Sequence, residues 1–231
     1  MKFDKVVRFI AMKRSGHHAV MSWIADHLDA NISFINNIAE ESANNLFITK
    51  SIIDSKITSL NEHLPNRSKF LFYNLEDFKP GAQELISPVD QDADLTIYVH
   101  RDAFNLFASR IKVMDRNDKN HWYGKKAFTI YNDLSRYVIS NTNIICISYD
   151  LWLSDKTYRI KLGQILKLNK SCEQLPKKHS MWGGGSSFSA NSELSVSMLL
   201  NRNKTLSSDQ IAEIERNLCM YENQIKERCQ I

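Results

Sequence analysis

The sequence contains little glycine and proline, with only 7 Gly and 4 Pro in 231 residues. Folds built entirely from strands and tight turns depend on both residue types, so this shortage argues against an all-β fold. Long apolar runs are also missing, because no stretch approaches the roughly 18 residues that a transmembrane helix needs. The first strand-like run, 6–12, is too short to cross a membrane, and no small-residue cleavage site follows it. We therefore expect a cytoplasmic protein without a membrane span.

Cysteine and net charge are similarly limited, with 4 Cys and a formal charge of +4. Scattered cysteines without metal-like pairing indicate free thiols in a reducing compartment and no bound metal. The small excess of cations is too weak to indicate nucleic-acid binding, but it suits a pocket for a polyanionic nucleotide. Hydrophobic residues make up 43% and charged residues 24%, which is ordinary for a globular chain. The cysteines are Cys146, Cys172, Cys219 and Cys229.

Short apolar strands alternate with amphipathic helical segments along the chain. The predicted strands are 6–12, 69–75, 95–100 and 143–148, and a helical pattern of apolar residues follows three of them. This alternation predicts an α/β fold with a central, mostly parallel sheet flanked by helices. The length suits a single domain over 1–231.

A closing helix is predicted at about 207–228. Ser207 and Gln210 have the spacing of a capping box. The apolar residues that follow recur on one helical face, so we expect this helix to pack on the domain. They are Ile211, Ile214, Leu218, Tyr221 and Ile225.

The turn between the first strand and the first helix has the composition of an anion site. Ligands of open parallel sheets bind beyond the carboxyl ends of strands, where this turn lies. Gly16 permits close approach of a phosphate, the helix start offers N–H groups, and Lys13 and Arg14 add charge. The alternative is an ordinary βα turn with surface cations. A kinase P-loop is disfavoured because the turn lacks Gly-Lys-Ser/Thr.

A second candidate anion site follows the strand at 95–100. Arg101 leaves this strand at its carboxyl end, and Ser109 lies about two turns into the next helix. Arginine offers a forked donor to a phosphate, and a serine hydroxyl adds one bond. The alternative is structural, with Asp102 capping the helix.

Taken together, the two segments resemble the sulfotransferases that use 3′-phosphoadenosine 5′-phosphosulfate (PAPS). The shared pattern is a strand followed by Arg-Ser-Gly, and a later strand ending in Arg with Ser after seven intervening residues. The resemblance implies a P-loop-like sulfotransferase architecture. It also implies that Arg101 and Ser109 bind the 3′-phosphate. The 5′-phosphosulfate would then bind Lys13, Arg14, Ser15, Gly16, His17 and His18.

Two further segments resemble the same family. The strand end Tyr149-Asp150 is similar to a tyrosine–acid pair found there, and 183–188 is similar to a late loop that closes over the nucleotide. That similarity implies nucleotide contacts from Gly184, Gly185, Ser186, Ser187 and Phe188. Arg14 replaces a lysine common in the family, and His17 and His18 replace a pair of threonines. Which cation meets the leaving oxygen is therefore open.

The resemblance implies sulfuryl transfer from PAPS to an acceptor hydroxyl, with release of adenosine 3′,5′-bisphosphate (PAP) and without a metal. A carbohydrate is the preferred acceptor class, because similar chains often act on sugars. Glu76 is the expected general base, since it ends the strand 69–75 at the ligand edge, and His17 and His18 are its rivals. Lys13 and Arg14 are expected to stabilise charge. The alternatives are an ATP-dependent small-molecule kinase and a nucleotide-binding protein without turnover.

Overall fold

A central sheet organises the protein. The computed structural model describes residues 3–28, 32–36, 50–53, 56–58, 69–80, 92–114, 123–168, 171–176 and 195–231. Within these ranges the strands are β1 Lys5–Ala11, β2 Ile32–Asn36, β3 Lys50–Ile53, β4 Lys56–Thr58, β5 Phe70–Glu76, β6 Leu95–His100 and β7 Ile144–Ser148. Their order is β4-β3-β2-β5-β1-β6-β7. Five neighbouring strands are parallel, namely β2, β5, β1, β6 and β7. At one edge β3 pairs antiparallel with β2, and β4 pairs antiparallel with β3.

Helices cover the sheet. In the described ranges they are α1 His17–His27, α2 Ala103–Met114, α3 Lys125–Ser140, α4 Tyr149–Ser154, α5 Lys156–Ile165, α6 Val196–Leu200 and α7 Ser208–Arg228, with a 3-10 turn at Arg202–Thr205. None of these described helices is both long and apolar enough to span a membrane. The α/β fold with a parallel central sheet is thus as predicted.

The helical stretch after β7 is divided at Asp155. This residue adopts an extended conformation, and its carboxylate accepts hydrogen bonds from the backbone N–H groups of Thr157 and Tyr158. Asp155 therefore caps α5 and ends α4 one residue earlier. The sequence pattern predicts one continuous helical stretch here, because both helices present apolar residues to the same layer.

Two hydrophobic cores lie on opposite faces of the sheet. Side chains of β1 alternate between them: Val6 and Ile10 face the core formed with α2, α3 and α7, while Val7 and Phe9 face the core formed with α1, α4 and α5. A strand that is buried on both faces consists mainly of apolar residues. The charged residue inside β1, Arg8, is buried and donates from Nε to the hydroxyl of Tyr73 at 2.6 Å.

The C-terminal helix begins as the capping box predicts. Ser207 Oγ accepts from the N–H of Gln210, and the Gln210 side chain accepts from the N–H of Ser207. Three residues of the predicted apolar face, Ile214, Leu218 and Ile225, are buried in the core shared with α2 and α3. This packing places α7 beside the strand ends that carry the candidate site.

A buried ion pair fixes the turn after β1 to its neighbours. Arg110 on α2 is fully buried, and its Nη1 donates to Asp77 Oδ1 at 2.8 Å and to the carbonyl of Lys13 at 3.2 Å. Asp77, just after β5, also accepts from the N–H of Lys13 at 3.0 Å. One carboxylate and one guanidinium therefore connect β1, β5 and α2 at the ligand edge of the sheet.

We predict that Asp77→Ala lowers the free energy of unfolding by about 3–5 kcal/mol, because it leaves the Arg110 charge buried without its carboxylate. Urea denaturation followed by circular dichroism measures this. The control is Asp133→Ala, which breaks an exposed pair with Arg136 and should cost less than about 1 kcal/mol. Equal losses in the two variants would show that the buried pair contributes little.

Candidate functional site

The turn between β1 and α1 has an unusual backbone. Arg14 and Gly16 both adopt left-handed conformations, with φ of 74° and 86°. This region is accessible to glycine but costs free energy in a residue with a side chain, and such strain concentrates at functional sites. The N–H of Ser15 donates to the carbonyl of Met12, and no described side chain caps the start of α1. An uncapped helix start is a ready anion site.

Glycine is required at position 16 by its left-handed conformation and also by the close approach of the Tyr149 ring. A Cβ at position 16 would lie 2.3 Å from Cε2 of Tyr149, closer than any real contact. Tyr149 directly follows β7, so its ring brings the end of β7 against the turn after β1. The guanidinium of Arg101 stacks over the same ring, 5.1 Å from its centre. This tyrosine therefore joins the two segments that the sequence singled out separately.

Arg101 follows β6 and lies beside the first turn, as expected from strands that end at one sheet edge. It is 2% exposed, and it donates to the carbonyl oxygens of Arg14 and Leu199 at 3.0 and 2.9 Å. Its Nε has no hydrogen-bond partner among the described residues. Buried polar atoms are normally satisfied, so this donor can bind an acceptor that is not part of the described chain, such as water or a ligand.

Arg202 is a functional candidate that the sequence analysis missed. It lies in the 3-10 turn after α6, and its Nη1 donates to the hydroxyl of Ser109 at 2.9 Å. The next residue, Asn203, donates its N–H to Asn105 Oδ1 at 3.0 Å, which holds the turn against α2. No local motif marks Arg202 in the sequence, because its neighbour Ser109 is far away along the chain.

Burial destabilises the cations of Arg14, Arg101 and Arg202, and the charge of Arg101 adds to this at the other two. Burial, then the charges of Arg101 and Arg14, lower the pKa of Arg202 to about 9. Burial and the charge of Arg101 also lower the pKa of Arg14, and burial lowers that of Arg101. A lowered arginine pKa means that the cation is destabilised where it lies. An anion placed among these groups would relieve that destabilisation, so the cluster favours anion binding.

Two aspartates support the Arg101 segment. Asp102 Oδ1 accepts from the N–H of Asn105 at 3.1 Å, so the alternative that Asp102 caps the helix is correct. Asp150 Oδ2 accepts from the N–H of Asp102 at 2.7 Å. The Tyr149-Asp150 pair thus holds the Arg101 segment through two contacts. Tyr149 stacks against the guanidinium, and Asp150 binds the backbone N–H of the following residue, Asp102.

Glu76 and the two histidines meet at the end of β5. Glu76 Oε1 lies 2.9 Å from Nε2 of His17 and 3.8 Å from Nε2 of His18. The other ring nitrogen of His17, Nδ1, lies 3.1 Å from Ser15 Oγ. Asn74 Nδ2 is 3.0 Å from Nε2 of His17. The structure therefore brings Glu76 and its two rivals for the base into one cluster.

The carboxyl group of Glu76 is strongly acidic. Burial by itself raises its pKa, but the hydrogen bond with His17 and the charges of His17, His18 and Lys13 outweigh burial and lower the pKa to about 2. A carboxylate with so low a pKa remains ionised at neutral pH and is a weak proton acceptor. It is well suited to orient an imidazole and to stabilise its charged form.

The same cluster offers metal-ligand atoms. The candidate ligand atoms of His17, His18 and Glu76 lie within 4.8 Å of one another, and two imidazoles with a carboxylate suit a transition metal. However, both histidines belong to the first turn of α1, where the helix dipole is positive, and the Lys13 charge acts on Glu76. These charges oppose a divalent cation and favour hydrogen bonding within the cluster.

The late glycine-containing segment lies outside the described residues. This applies to the expected nucleotide contacts at Gly184, Gly185, Ser186, Ser187 and Phe188, which remain predictions from the sequence.

Comparison with known proteins shows the fold. No protein-family model matches the sequence, and no curated protein matches it. Among solved structures, the chain is similar to the mouse sulfotransferase SULT7A1 complexed with PAP, with a TM-score of 0.53 and 12% sequence identity. The alignment covers 99% of this chain and 91% of that chain. The chain therefore has a sulfotransferase-like fold, in agreement with the architecture that the sequence resemblance implies.

We predict that Glu76 makes stability acid-sensitive. Its pKa is lowered in the folded state, so its contribution is present above its ordinary pKa and is lost as pH falls from about 5 towards 2. Glu76→Gln should flatten the pH dependence of the free energy of unfolding in this window, whereas Glu227→Gln, on an exposed position of α7, should not. Urea titrations at several pH values test this. Identical profiles for parent and Glu76→Gln would contradict it.

Proposed function

We propose that the protein is a sulfotransferase, which transfers the sulfuryl group of PAPS to an acceptor hydroxyl and releases PAP. The observation that carries the proposal is the convergence of Arg14, Arg101 and Arg202, three cations whose pKa values burial lowers, beside the uncapped start of α1. Such a site suits a ligand with two separate anionic groups. Similarity in fold to a sulfotransferase complexed with PAP supports the same ligand class.

We assign the 3′-phosphate to Arg101, Ser109 and Arg202. The unpartnered Nε of Arg101 supports this assignment, as does the contact of Arg202 with the Ser109 hydroxyl. The hydroxyl already accepts from Arg202, so its own proton is available for a phosphate oxygen. Arginine forks combined with one hydroxyl make a dense set of charge-assisted donors.

We assign the 5′-phosphosulfate to the turn after β1 and the first turn of α1. This region combines helix-start N–H groups with positive charge. The residues are Lys13, Arg14, Ser15, Gly16, His17 and His18. The family resemblance of the segment 183–188 implies further contacts with the nucleotide.

Sulfuryl transfer needs positioning and charge stabilisation more than covalent help from the protein, by analogy with phosphoryl transfer. The acceptor oxygen attacks sulfur and forms the new S–O bond, while the bond between sulfur and the phosphate oxygen breaks. The electron pair leaves on the phosphate of PAP, where Lys13 and Arg14 stabilise the negative charge. A base takes the acceptor proton.

We assign the base to His18, with Glu76 as the carboxylate that stabilises its charged form. The pKa of Glu76, about 2, makes the carboxylate itself a weak base. The side chain of His17 is 3% exposed and lies between Ser15 and Glu76, which suits a positioning role. The side chain of His18 is 22% exposed, so an acceptor can approach it. The base thus moves from Glu76, the sequence-based choice, to its neighbour.

PAP should bind without a divalent metal, and Arg101→Ala and Arg202→Ala should each weaken binding by roughly 10–100-fold, because each removes charge-assisted donors. Calorimetry with PAP in the presence of a chelator measures this. Arg136→Ala, on an exposed side chain of α3, is the control and should bind PAP normally. Absence of heat at millimolar PAP would refute the nucleotide assignment. Binding of ATP with magnesium in its place would favour the kinase alternative.

His18→Gln should retain most of the PAP affinity while turnover falls by about 10²-fold or more, since the base is lost while the arginine and helix-start contacts to the nucleotide stay. Turnover is followed with labelled PAPS against a panel of carbohydrate hydroxyl acceptors. Glu76→Gln should lower turnover by a smaller factor, because the base remains but loses its ionised partner. Normal turnover of His18→Gln together with an inactive Glu76→Gln would return the base to Glu76. PAP binding without turnover for any acceptor would favour the non-catalytic alternative.

A further inference from the structure

Two cysteines that are distant in the sequence meet in the core. Cys146 lies in β7 and Cys229 follows the last residue of α7; both are buried, with exposures of 4% and 0%. Tyr158 links their two segments, because its hydroxyl donates to the carbonyl of Cys229 at 2.9 Å and accepts from the N–H of Ser148 at 3.0 Å. We propose that Cys146 and Cys229 are a redox-active pair, which a small peroxide oxidises to a disulfide between β7 and the end of α7.

A fixed cation activates one of the two sulfurs. Arg228 Nε donates to Cys146 Sγ at 3.3 Å, and the same guanidinium donates to the carbonyls of Ile139 and Ile144, which hold it in place. A guanidinium beside a sulfur favours the thiolate, which is the reactive form of cysteine. The environment of Cys146 is thus that of a reactive cysteine, although most buried cysteines are inert.

The two thiols have opposite tendencies to ionise. The neighbouring Cys229 thiol, and the hydrogen bond and charge of Arg228, lower the pKa of Cys146 to about 7, against the effect of burial. The neighbouring Cys146 sulfur, followed by burial, raises the pKa of Cys229. Cys146 is therefore the attacking sulfur, and Cys229 is the resolving thiol. Cys172 is a natural reference, because it is also buried and burial raises its pKa.

The chemistry is balanced with hydrogen peroxide as the oxidant. The thiolate of Cys146 attacks one peroxide oxygen, the O–O bond breaks, and with one proton a sulfenic acid and water form. The sulfur of Cys229 then attacks the sulfenic sulfur, and the S–OH group leaves as water as the S–S bond forms. In sum, two thiols and one peroxide give one disulfide and two waters. Because both sulfurs are buried, a small oxidant such as hydrogen peroxide can reach them more readily than a bulky disulfide reagent.

The crosslink would act on the helix that supports the candidate site. Lys226 on α7 donates to Asp102 Oδ2 at 2.9 Å, and Glu222 accepts from the N–H of Ala103 at 3.2 Å. Both contacts are next to Arg101 along the chain. A disulfide would tie the end of α7 to β7 and so restrain unfolding of this helix. The proposal does not depend on which ligand the site binds.

The test uses the full chain with Cys172→Ser and Cys219→Ser, so that only the proposed pair remains. Hydrogen peroxide should lower its intact mass by about 2 Da, the two hydrogens lost, without dimer formation. The melting temperature should rise by at least about 4 °C, because the crosslink closes a long loop. Dithiothreitol should reverse both changes.

Single variants assign the roles. Adding Cys229→Ser to this background should leave a sulfenic acid at Cys146 that dimedone traps when the oxidised protein is unfolded in its presence, whereas adding Cys146→Ser should leave Cys229 unreacted. A variant that keeps only Cys172 should not react under the same conditions. Peptide mapping of the oxidised parent protein should find the 146–229 link even if a variant folds poorly. Oxygen adducts without loss of 2 Da, or a link between other cysteines, would overturn the proposal.

Discussion

The guanidinium of Arg101 is buried at the end of β6 and is held there by two backbone carbonyls and the ring of Tyr149. Carbonyl oxygens and an aromatic ring stabilise a cation without neutralising it, so its charge persists at the sheet edge. The turn after β1, the residue after β7 and the end of α6 all contact this one group. If Arg101 were paired directly with a carboxylate, the edge would lose much of its attraction for anions.

Charge is divided along that edge. Arg14 and Arg101 follow β1 and β6, while Glu76 ends β5 and meets His17 and His18 from the start of α1. In the reaction that we propose, the polyanionic donor requires fixed positive charge and the acceptor hydroxyl requires a proton acceptor. A parallel sheet can supply both because neighbouring strands end side by side. The buried pair of Arg110 and Asp77 keeps the two parts in register.

Much of the fold could be predicted from the sequence because the signals are local. Each of these signals depends on residues that are close together in the chain. They are the mainly apolar pattern of β1, the capping box at Ser207 and Gln210, and the helical spacing of apolar residues in α7. The Arg101 and Ser109 segment was also recognisable, since the spacing of a strand end and a helix is regular. The break between α4 and α5 was missed, because Asp155 caps a helix in the middle of a continuous apolar pattern.

Local patterns in the sequence are enough to establish the alternation of strands and helices, the cationic composition of the Arg14 turn, and the place of Glu76 at a strand end. Folding alone brings Arg202 against Ser109, sets the ring of Tyr149 against Gly16, and makes Glu76 the partner of a histidine. The reason is physical. Helix and strand signals come from neighbouring residues, whereas burial and the fields of distant charges set contacts and pKa values, and these exist only once the chain has folded.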